Sequence, residues 1–201
     1  MKRVQSIIKS IEPNDSRDRY TKLGVDCIDG TGKLVSPHSV EVNGKVLTAR
    51  SIIIATGAGP MVPNIQGLDK INYLTSDNIW DLKKLPRKLV ILGGGPIGSE
   101  MAQAFSRLGS EVTVVEMSSQ IMSREDNDVV QFVKERFKKE GIKVLVNHKA
   151  IRFKLNKLIC DNKGKEKSIE FDQVLLALGR CPNINGFGLS ELGVKTVSYT
   201  H

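Results

Sequence analysis

One segment, residues 88–116, constrains the fold more than any other part of this sequence. It opens with the apolar run KLVIL and continues through the glycine-rich turn GGGPIG into an amphipathic stretch that stops near Gly109. A second alternating run, EVTVVE, ends at Glu116. The pattern predicts a buried strand, a tight turn, a helix and a second parallel strand, and thus an α/β unit. The residues that the helix is expected to bury are Ile97, Met101, Phe105 and Leu108.

The turn at residues 93–98 matches the GxGxxG pattern, in which each fixed glycine has a separate task. Gly93 makes the tight turn, Gly95 lets the backbone approach a pyrophosphate, and Gly98 lets the helix pack closely on the sheet. The free N–H groups and the positive end of the helix dipole face the phosphates. Glu116 lies about 20 residues further on, where an acid meets the adenosine ribose hydroxyls. The segment therefore predicts a dinucleotide site. The simpler alternatives are a structural turn and an acid that ends its strand in solvent.

Composition and charge exclude several classes of protein. The 201 residues suffice for one large domain or for one domain with part of another, and 40% apolar with 26% charged residues is typical of a soluble globular protein. No apolar run approaches a membrane span, and the N-terminal segment turns polar too soon for a signal peptide, which favours the cytoplasm. The net charge of +8 comes with no nucleic-acid motif, so we expect solvated basic faces and no nucleic-acid partner.

The three cysteines, Cys27, Cys160 and Cys181, are far apart in the sequence. Because there is no CxxC pair, neighbouring residues supply neither a zinc site nor a redox dithiol, and no metal is expected. We interpret all three as free thiols of a reducing compartment, with a role in packing.

The regions on either side of the glycine-rich segment predict short strands and one further helix. Before it, a hairpin is expected at Asn43-Gly44, because both central residues of such a turn need positive φ. The strands expected in this region lie at residues 25–28, 39–42, 45–47 and 51–55, the last of them buried. After it, a capping-box pattern at residues 123–126 predicts a helix. The residues that this helix is expected to bury are Val129, Val130, Val133 and Phe137. The strands expected beyond it are a third sheet strand at 142–146, a meander between 150 and 171, and a returning strand at 174–178.

Three separated motifs carry a resemblance to a known family. The run IIIATG at residues 52–57 is followed by GGGPIGSE at residues 93–100 and by ALGRCPN at residues 177–183. This order, with a meander before the last motif, resembles the pyridine nucleotide–disulfide oxidoreductases, among them dihydrolipoamide dehydrogenase and mercuric reductase. The resemblance implies two Rossmann-like lobes, one for FAD and one for NAD(P)H, and a C-terminal dimerisation domain. It also implies that hydride passes from nicotinamide to flavin and then to a cysteine pair.

The resemblance also implies roles for individual residues. Those implied to hold the pyrophosphate are Gly93, Gly94, Gly95, Pro96, Ile97 and Gly98. Those implied to contact FAD are Thr56 and Gly57. Glu116 is implied to bind the adenosine ribose, Ala150 to lie near the adenine and Gly179 along the nicotinamide half. Glu100 is implied to pair with a lysine beside the flavin, the alternative being a solvated acid in the first turn of its helix.

Several parts of the family pattern are absent from the sequence: the FAD-binding glycine motif, the redox cysteine pair, the Gly-Asp motif that contacts FAD and the C-terminal acid/base histidine. We therefore expect a fragment, with a remnant of the FAD-binding domain at residues 1–70, a connector at 71–85 and an NAD-binding domain at 86–198. Such a chain is expected to bind NADH but to reduce nothing alone. Its expected partners are the missing FAD and dimerisation domains of a homodimeric enzyme of cell redox homeostasis.

Glu116 also bears on the choice of cofactor. A carboxylate accepts hydrogen bonds from the ribose hydroxyls of NADH but repels the 2′-phosphate of NADPH, and residues 117–120 supply no base. NADH is therefore expected over NADPH. Two alternatives stay open: a methyltransferase that binds S-adenosylmethionine at a similar turn, and a non-enzymatic dinucleotide sensor. The electron acceptor also stays open.

Overall fold

The computed structural model describes residues 1–196 of the chain. The α-helices in these residues are α1 (Lys2–Ile11), α2 (Arg17–Lys22), α3 (Pro96–Arg107) and α4 (Asn127–Lys139), and short 3-10 helices lie at Glu12–Asp15, Leu68–Lys70 and Ile79–Asp81. The strands are β1 (Lys33–Ser36), β2 (Ser39–Val42), β3 (Lys45–Thr48), β4 (Ala58–Pro60), β5 (Tyr73–Leu74), β6 (Lys88–Leu92), β7 (Glu111–Val115), β8 (Lys143–Leu145), β9 (Lys149–Lys154), β10 (Lys157–Asn162), β11 (Lys165–Glu170), β12 (Gln173–Leu176) and β13 (Arg180–Pro182). The chain divides into a terminal unit, Met1–Gly59 with Cys181–His201, and a central unit, Pro60–Arg180.

A five-stranded parallel sheet, in the order β5-β12-β6-β7-β8, forms the middle layer of the central unit. One face packs on α3 and α4, which connect β6 to β7 and β7 to β8; its cluster includes Leu89, Ile91, Ala102, Phe105, Val114 and Phe137. The other face packs on the antiparallel meander β9-β10-β11; its cluster includes Val90, Leu92, Val115, Phe153, Leu158 and Val174. This arrangement confirms the predicted Rossmann-like α/β fold, with a parallel sheet and a meander crossover that returns through β12 beside β6.

The buried face of α3 differs from the predicted one. Ile97 and Leu108 are 41% and 63% exposed, so the prediction that they are buried is wrong. The residues that α3 does bury are Gly98, Ser99, Ala102 and Phe105. A helix that approaches the sheet closely at a glycine turns its small residues toward the sheet. The larger side chains at both ends of the helix therefore lie outside the contact.

Helix α4 begins later than the capping-box pattern predicts. Its N-cap residue is Asp126, which makes no side-chain capping bond, so the predicted capping box at residues 123–126 is wrong. The preceding chain is held elsewhere, because Met122 has φ +52 and its N–H donates to Gly94 O (2.7 Å). Residues 122–125 form a turn closed by the bond from Glu125 N–H to Met122 O (2.9 Å), and the helix begins after this turn. Of the four apolar residues, Val130 and Phe137 are buried as predicted, Val133 is half-buried, and Val129, at 45% exposed, is not buried.

The terminal unit contains the three-stranded antiparallel sheet β1-β2-β3 that the β-rich N-terminal region predicts. Its hairpin turns at Asn43-Gly44, with φ +52 and +74, and the predicted hairpin is confirmed. The strands predicted at residues 25–28 and 51–55 are wrong: neither run forms a strand, and Ile53 is 91% exposed. A buried strand needs a neighbour that satisfies its N–H and C=O groups. None of the described strands pairs with either run.

Strands β4 and β13 pair with each other in a two-stranded sheet. The assignment of residues 1–70, 71–85 and 86–198 to an FAD-binding remnant, a connector and an NAD-binding domain stays a prediction, and the last range ends outside the described residues.

Candidate functional site

The glycine-rich turn follows β6, and two of its glycines are required by packing alone. Gly93 has φ +101, its N–H donates to Val115 O (2.9 Å), and a Cβ there would collide with the carbonyl of Ala177. A Cβ on Gly98 would collide with the carbonyl of Gly93. Any larger residue at either position would push the turn, α3 or the β12 end away from the others.

Gly95 differs from these two glycines because packing does not require it. Its backbone is extended (φ −72°, ψ −174°), and a Cβ there would meet no heavy atom of the described residues within 4 Å. The first helical bond of α3 runs from Ser99 N–H to Gly95 O (2.9 Å), so the N–H groups of Ile97 and Gly98 have no intrahelical acceptor. Pro96 has no N–H to offer. The open space at Gly95 thus faces free donors at a helix N-terminus, which is a cradle suited to a phosphate.

The carboxylate of Glu116 lies on the same side as the glycines. Its Oε2 accepts the Gly94 N–H at 2.7 Å, and its Oε1 accepts the Ser118 N–H, also at 2.7 Å. A carboxylate has about four acceptor sites. Two therefore remain for further donors, which matches the two hydroxyls of a ribose.

A loop after β7 fixes the turn from outside, and sequence reasoning missed it. Met122 donates its N–H to Gly94 O, and Ile121 beside it is fully buried. Ser99 Oγ donates to the same carbonyl at 3.3 Å. The Met122 and Ser118 bonds are donated by backbone N–H groups, which any residue except proline offers, so no side-chain motif in the sequence indicates them.

The residues predicted to lie near the adenine and along the nicotinamide half are Ala150 of β9 and Gly179, which follows β12. Ala150 is half-buried in β9, opposite Cys160. Gly179 has φ +103 and follows β12, where Ala177 donates its N–H to Leu92 O (2.8 Å). The chain after β12 thus starts beside the glycine-rich turn, while the predicted cofactor contacts of both residues stay predictions.

In the terminal unit, the first and third motifs meet. Thr56 Oγ1 donates to Asn183 O (2.6 Å), Asn183 Nδ2 donates to Thr56 O (2.9 Å), and Asn183 N–H donates to Gly57 O (3.0 Å). The resemblance implied FAD contacts for Thr56 and Gly57 but no role for Asn183. The motif at residues 177–183, which contains Asn183, could have indicated one. The predicted FAD contact is untested.

Glu100 is an exposed residue of α3, and no ion pair to it is found within residues 1–196. Its predicted pairing is with a lysine of the intact enzyme that this sequence lacks, and it stays a prediction. A groove of about 330 Å³ between α3 and α4 shares only Glu100 and Pro96 with the predicted site. We call it the α3–α4 groove; its other lining residues include Gln103, Met122, Phe132 and Val133. The glycines of the turn and Glu116 do not line it.

The thiols and the acids outside the turn do not form a reactive centre in the part of the chain that the structure describes. Cys160 is fully buried, and burial raises its pKa to about 11, so the thiol stays protonated at neutral pH. All three cysteines are free, and the described residues contain no group of His, Cys, Asp and Glu that could hold a metal ion. No helix within residues 1–196 is both long and apolar enough to cross a membrane.

The fold and the glycine-rich turn define a Rossmann-like α/β protein. Comparison with known proteins identifies its family. The family model of the pyridine nucleotide-disulphide oxidoreductases matches residues 4–199. The chain belongs to this family.

Its relatives are longer proteins. The chain is 34% identical over 194 residues to a mercuric reductase of Lysinibacillus sphaericus. The matched region covers 94% of this chain and 36% of the relative. It is 35% identical over 178 residues to a dihydrolipoyl dehydrogenase of Acholeplasma laidlawii, covering 87% of this chain and 52% of the relative. The chain therefore spans between about a third and a half of the curated relatives named here.

Solved structures agree with these relatives. The HOCl-induced flavoprotein disulfide reductase RclA from Escherichia coli superposes with a TM-score of 0.71 at 31% identity, over 84% of this chain and 39% of that chain. A Cu(II) complex of a mutant of the same enzyme superposes with a TM-score of 0.81 at 28% identity, over 96% of this chain and 45% of that chain.

Proposed function

We propose that this chain is the pyridine-nucleotide-binding part of an FAD-dependent oxidoreductase, which passes hydride from NADH to flavin and on to a disulfide or similar acceptor. The observation that carries the proposal is the Glu116 carboxylate, fixed by the N–H groups of Gly94 and Ser118 beside an open helix N-terminus. The pyrophosphate would lie at Gly95 and receive the N–H groups of Ile97 and Gly98. The ribose hydroxyls would donate to Glu116.

NADH is the preferred nucleotide in this proposal. A charged hydrogen bond to a ribose hydroxyl contributes about 1.5–3 kcal/mol. The same carboxylate repels a 2′-phosphate, which enzymes that use NADPH usually bind with an arginine. Arg124 is the nearest arginine to Glu116 in the sequence, and it lies beyond Met122, in the turn before α4.

The chain alone is catalytically incomplete in this proposal. When bound, the flavin and the nicotinamide supply the hydride chemistry, and the protein supplies binding and orientation. Thr56 and Gly57, held by Asn183, would contact FAD, while Glu100 would pair with a lysine beside it. The remaining contacts would come from the FAD and dimerisation domains that the family resemblance implies, in a homodimer. Three free cysteines fit a cytoplasmic, reducing location.

Nucleotide titration of the 201-residue chain tests the proposal. The wild-type chain should bind NADH, and Glu116→Ala should weaken binding at least about tenfold, the loss of one charged hydrogen bond. Glu111→Ala is the matched control, because Glu111 opens the strand that Glu116 follows and lies at its opposite end. The control should bind NADH like the wild type.

The same titration addresses the alternatives. Binding of S-adenosylmethionine without NADH would favour a methyltransferase. Equal NADH affinity of the wild type and Glu116→Ala would remove the proposed ribose contact. A non-enzymatic sensor would bind NADH equally well, but a chain extended to the length of the relatives would then show no flavin reduction by NADH.

A further inference from the structure

His148 is a buried histidine that the proposed function leaves without a role. It is 8% exposed and lies in the short connection between β8 and β9. Its Nδ1 is 2.6 Å from Val146 O. A carbonyl oxygen can only accept, so Nδ1 carries the proton and donates. Its Nε2 lies 3.4 Å from Asn162 Nδ2 of β10, whose amide donates to it.

The same connection holds the segment that carries Glu116. His148 N–H donates to Glu116 O (3.0 Å), and Asn147 N–H donates to Ser118 O (2.9 Å). Ser118 N–H in turn donates to the Glu116 carboxylate (2.7 Å). The carbonyls of Glu116 and Ser118, the first and last of residues 116–118, are therefore fixed by the β8–β9 connection. The orientation of the Glu116 carboxylate depends on the backbone between these two carbonyls.

The imidazole stabilises the backbone that makes these bonds. Asn147 has φ +56, in the left-handed region that side chains other than glycine rarely adopt. The bond from His148 Nδ1 to Val146 O spans this residue and closes the turn around it. Without that bond, the Val146 carbonyl would lose this donor and only the preference of Asn147 would hold the turn, so other backbone arrangements would compete.

We propose that His148 is a positioning residue: through the β8–β9 connection it holds the Glu116 carboxylate in the orientation that selects NADH over NADPH. This inference rests on the proposed function. The alternative is that His148 only packs the meander against the sheet. The two differ in one observable quantity, the ratio of the NADH and NADPH affinities, because only a displaced carboxylate changes that ratio.

Calorimetric titration of the full chain with NADH and with NADPH tests the proposal. His148→Leu removes the ring donor and should lower NADH affinity about fivefold, as the loss of one intramolecular hydrogen bond would do, without lowering NADPH affinity. His148→Asn places an amide N–H where Nδ1 lies and should restore the ratio to within about twofold of the wild type.

Two further variants separate positioning from packing. Cys160→Ala removes a fully buried side chain from the neighbouring strand β10, and it should lower stability without moving the ratio. In a Glu116→Ala background, His148→Leu should cause no further loss of NADH affinity, because a residue that acts through Glu116 has nothing left to position.

The outcomes distinguish the two claims. A wild-type chain that does not bind NADH overturns both the proposed function and the role of His148. If the wild type binds NADH but His148→Leu weakens both nucleotides equally, or Cys160→Ala moves the ratio as far, the positioning role alone is wrong. Additive losses in the double variant would also overturn it.

Discussion

Each unit of this chain contains a short apolar run, and the two runs differ in burial and in secondary structure. In the central unit, the run KLVIL becomes β6, and Ile91 within it is fully buried. In the terminal unit, the run SIIIA forms no strand, and Ile53 within it is 91% exposed. The apolar residues that the described part of the terminal unit buries are Leu34, Val42 and Leu189.

The difference shows what a short apolar run does and does not specify. β6 pairs with β7 on one side and with β12 on the other, and both of its faces are covered by packed layers. The run at residues 51–55 has no such neighbour among the described strands. Burial therefore depends on the neighbouring strands as well as on the side chains of the run.

The sharpest test of this comparison substitutes the two isoleucines. Ile91→Ala should lower the free energy of unfolding by about 2–5 kcal/mol, because it leaves a cavity in a packed core. Ile53→Ala should change it by less than about 0.5 kcal/mol. Denaturant titrations of the two variants measure both effects, and similar losses would show that residues 51–55 are packed after all.

A second test separates folding from binding within the glycine-rich turn. Gly98→Ala should lower the free energy of unfolding by about 1–3 kcal/mol, since its methyl group collides with the Gly93 carbonyl. Gly95→Ala should leave stability nearly unchanged but weaken NADH binding at least about tenfold, because its methyl group fills open space where the pyrophosphate would lie. Melting curves and NADH titrations of the pair are the measurements. A Gly95→Ala chain that binds NADH normally would place the pyrophosphate elsewhere.

A third test compares a cysteine of each unit. Cys181 is exposed and should react with a thiol reagent in the native chain, whereas Cys160 should react only on unfolding. Because burial raises the folded pKa of Cys160 to about 11, from 9.0, its contribution to stability is complete below about pH 9 and is lost as the pH rises toward 11. Denaturant midpoints at about pH 8 and pH 10.5 should fall more for the wild type than for Cys160→Ala. Equal falls would contradict the assignment.

The smallest effect is expected from the ion pairs on the surface. Arg152 and Glu166 of the meander form two hydrogen bonds, and the guanidinium lowers the pKa of the Glu166 carboxyl. The stabilising contribution is therefore present above the ordinary carboxyl pKa and is lost as the pH falls through the lowered one. Arg152→Ala should lower the denaturant midpoint slightly at neutral pH and not at all in acid. A loss that persists in acid would point to packing by the arginine side chain rather than to charge.

The parts of the fold that the sequence predicts are those with local signals. The alternation of β7, the glycines of the turn and the Asn43-Gly44 hairpin each specify a backbone conformation within a few residues. The exposure of Ile97 and the late start of α4 depend instead on tertiary contacts. Ile97 is exposed because α3 approaches the sheet closely at Gly98. The start of α4 is late because the chain before it is held by the bond from Met122 N–H to the Gly94 carbonyl.

The candidate site likewise contains a residue that the sequence predicts and others that it does not. Glu116 could be named from its distance to the glycines, and the structure brings its carboxylate to Gly94. Ser118 and His148 could not be named, because they act on Glu116 through backbone N–H groups, and His148 lies about thirty residues further along the sequence. Asn183 stands in a motif visible in the sequence, but its bonds to Thr56 join positions more than a hundred residues apart.

The most direct test of the central claim is an amide chemical-shift map of the isotope-labelled chain titrated with NADH. If the pyrophosphate lies on the N-terminus of α3 and the ribose on Glu116, the amides of Gly94, Ile97, Gly98 and Ser118 should shift most. Unchanged signals there, with shifts at Gln103 and Phe132 of the α3–α4 groove instead, would contradict the account.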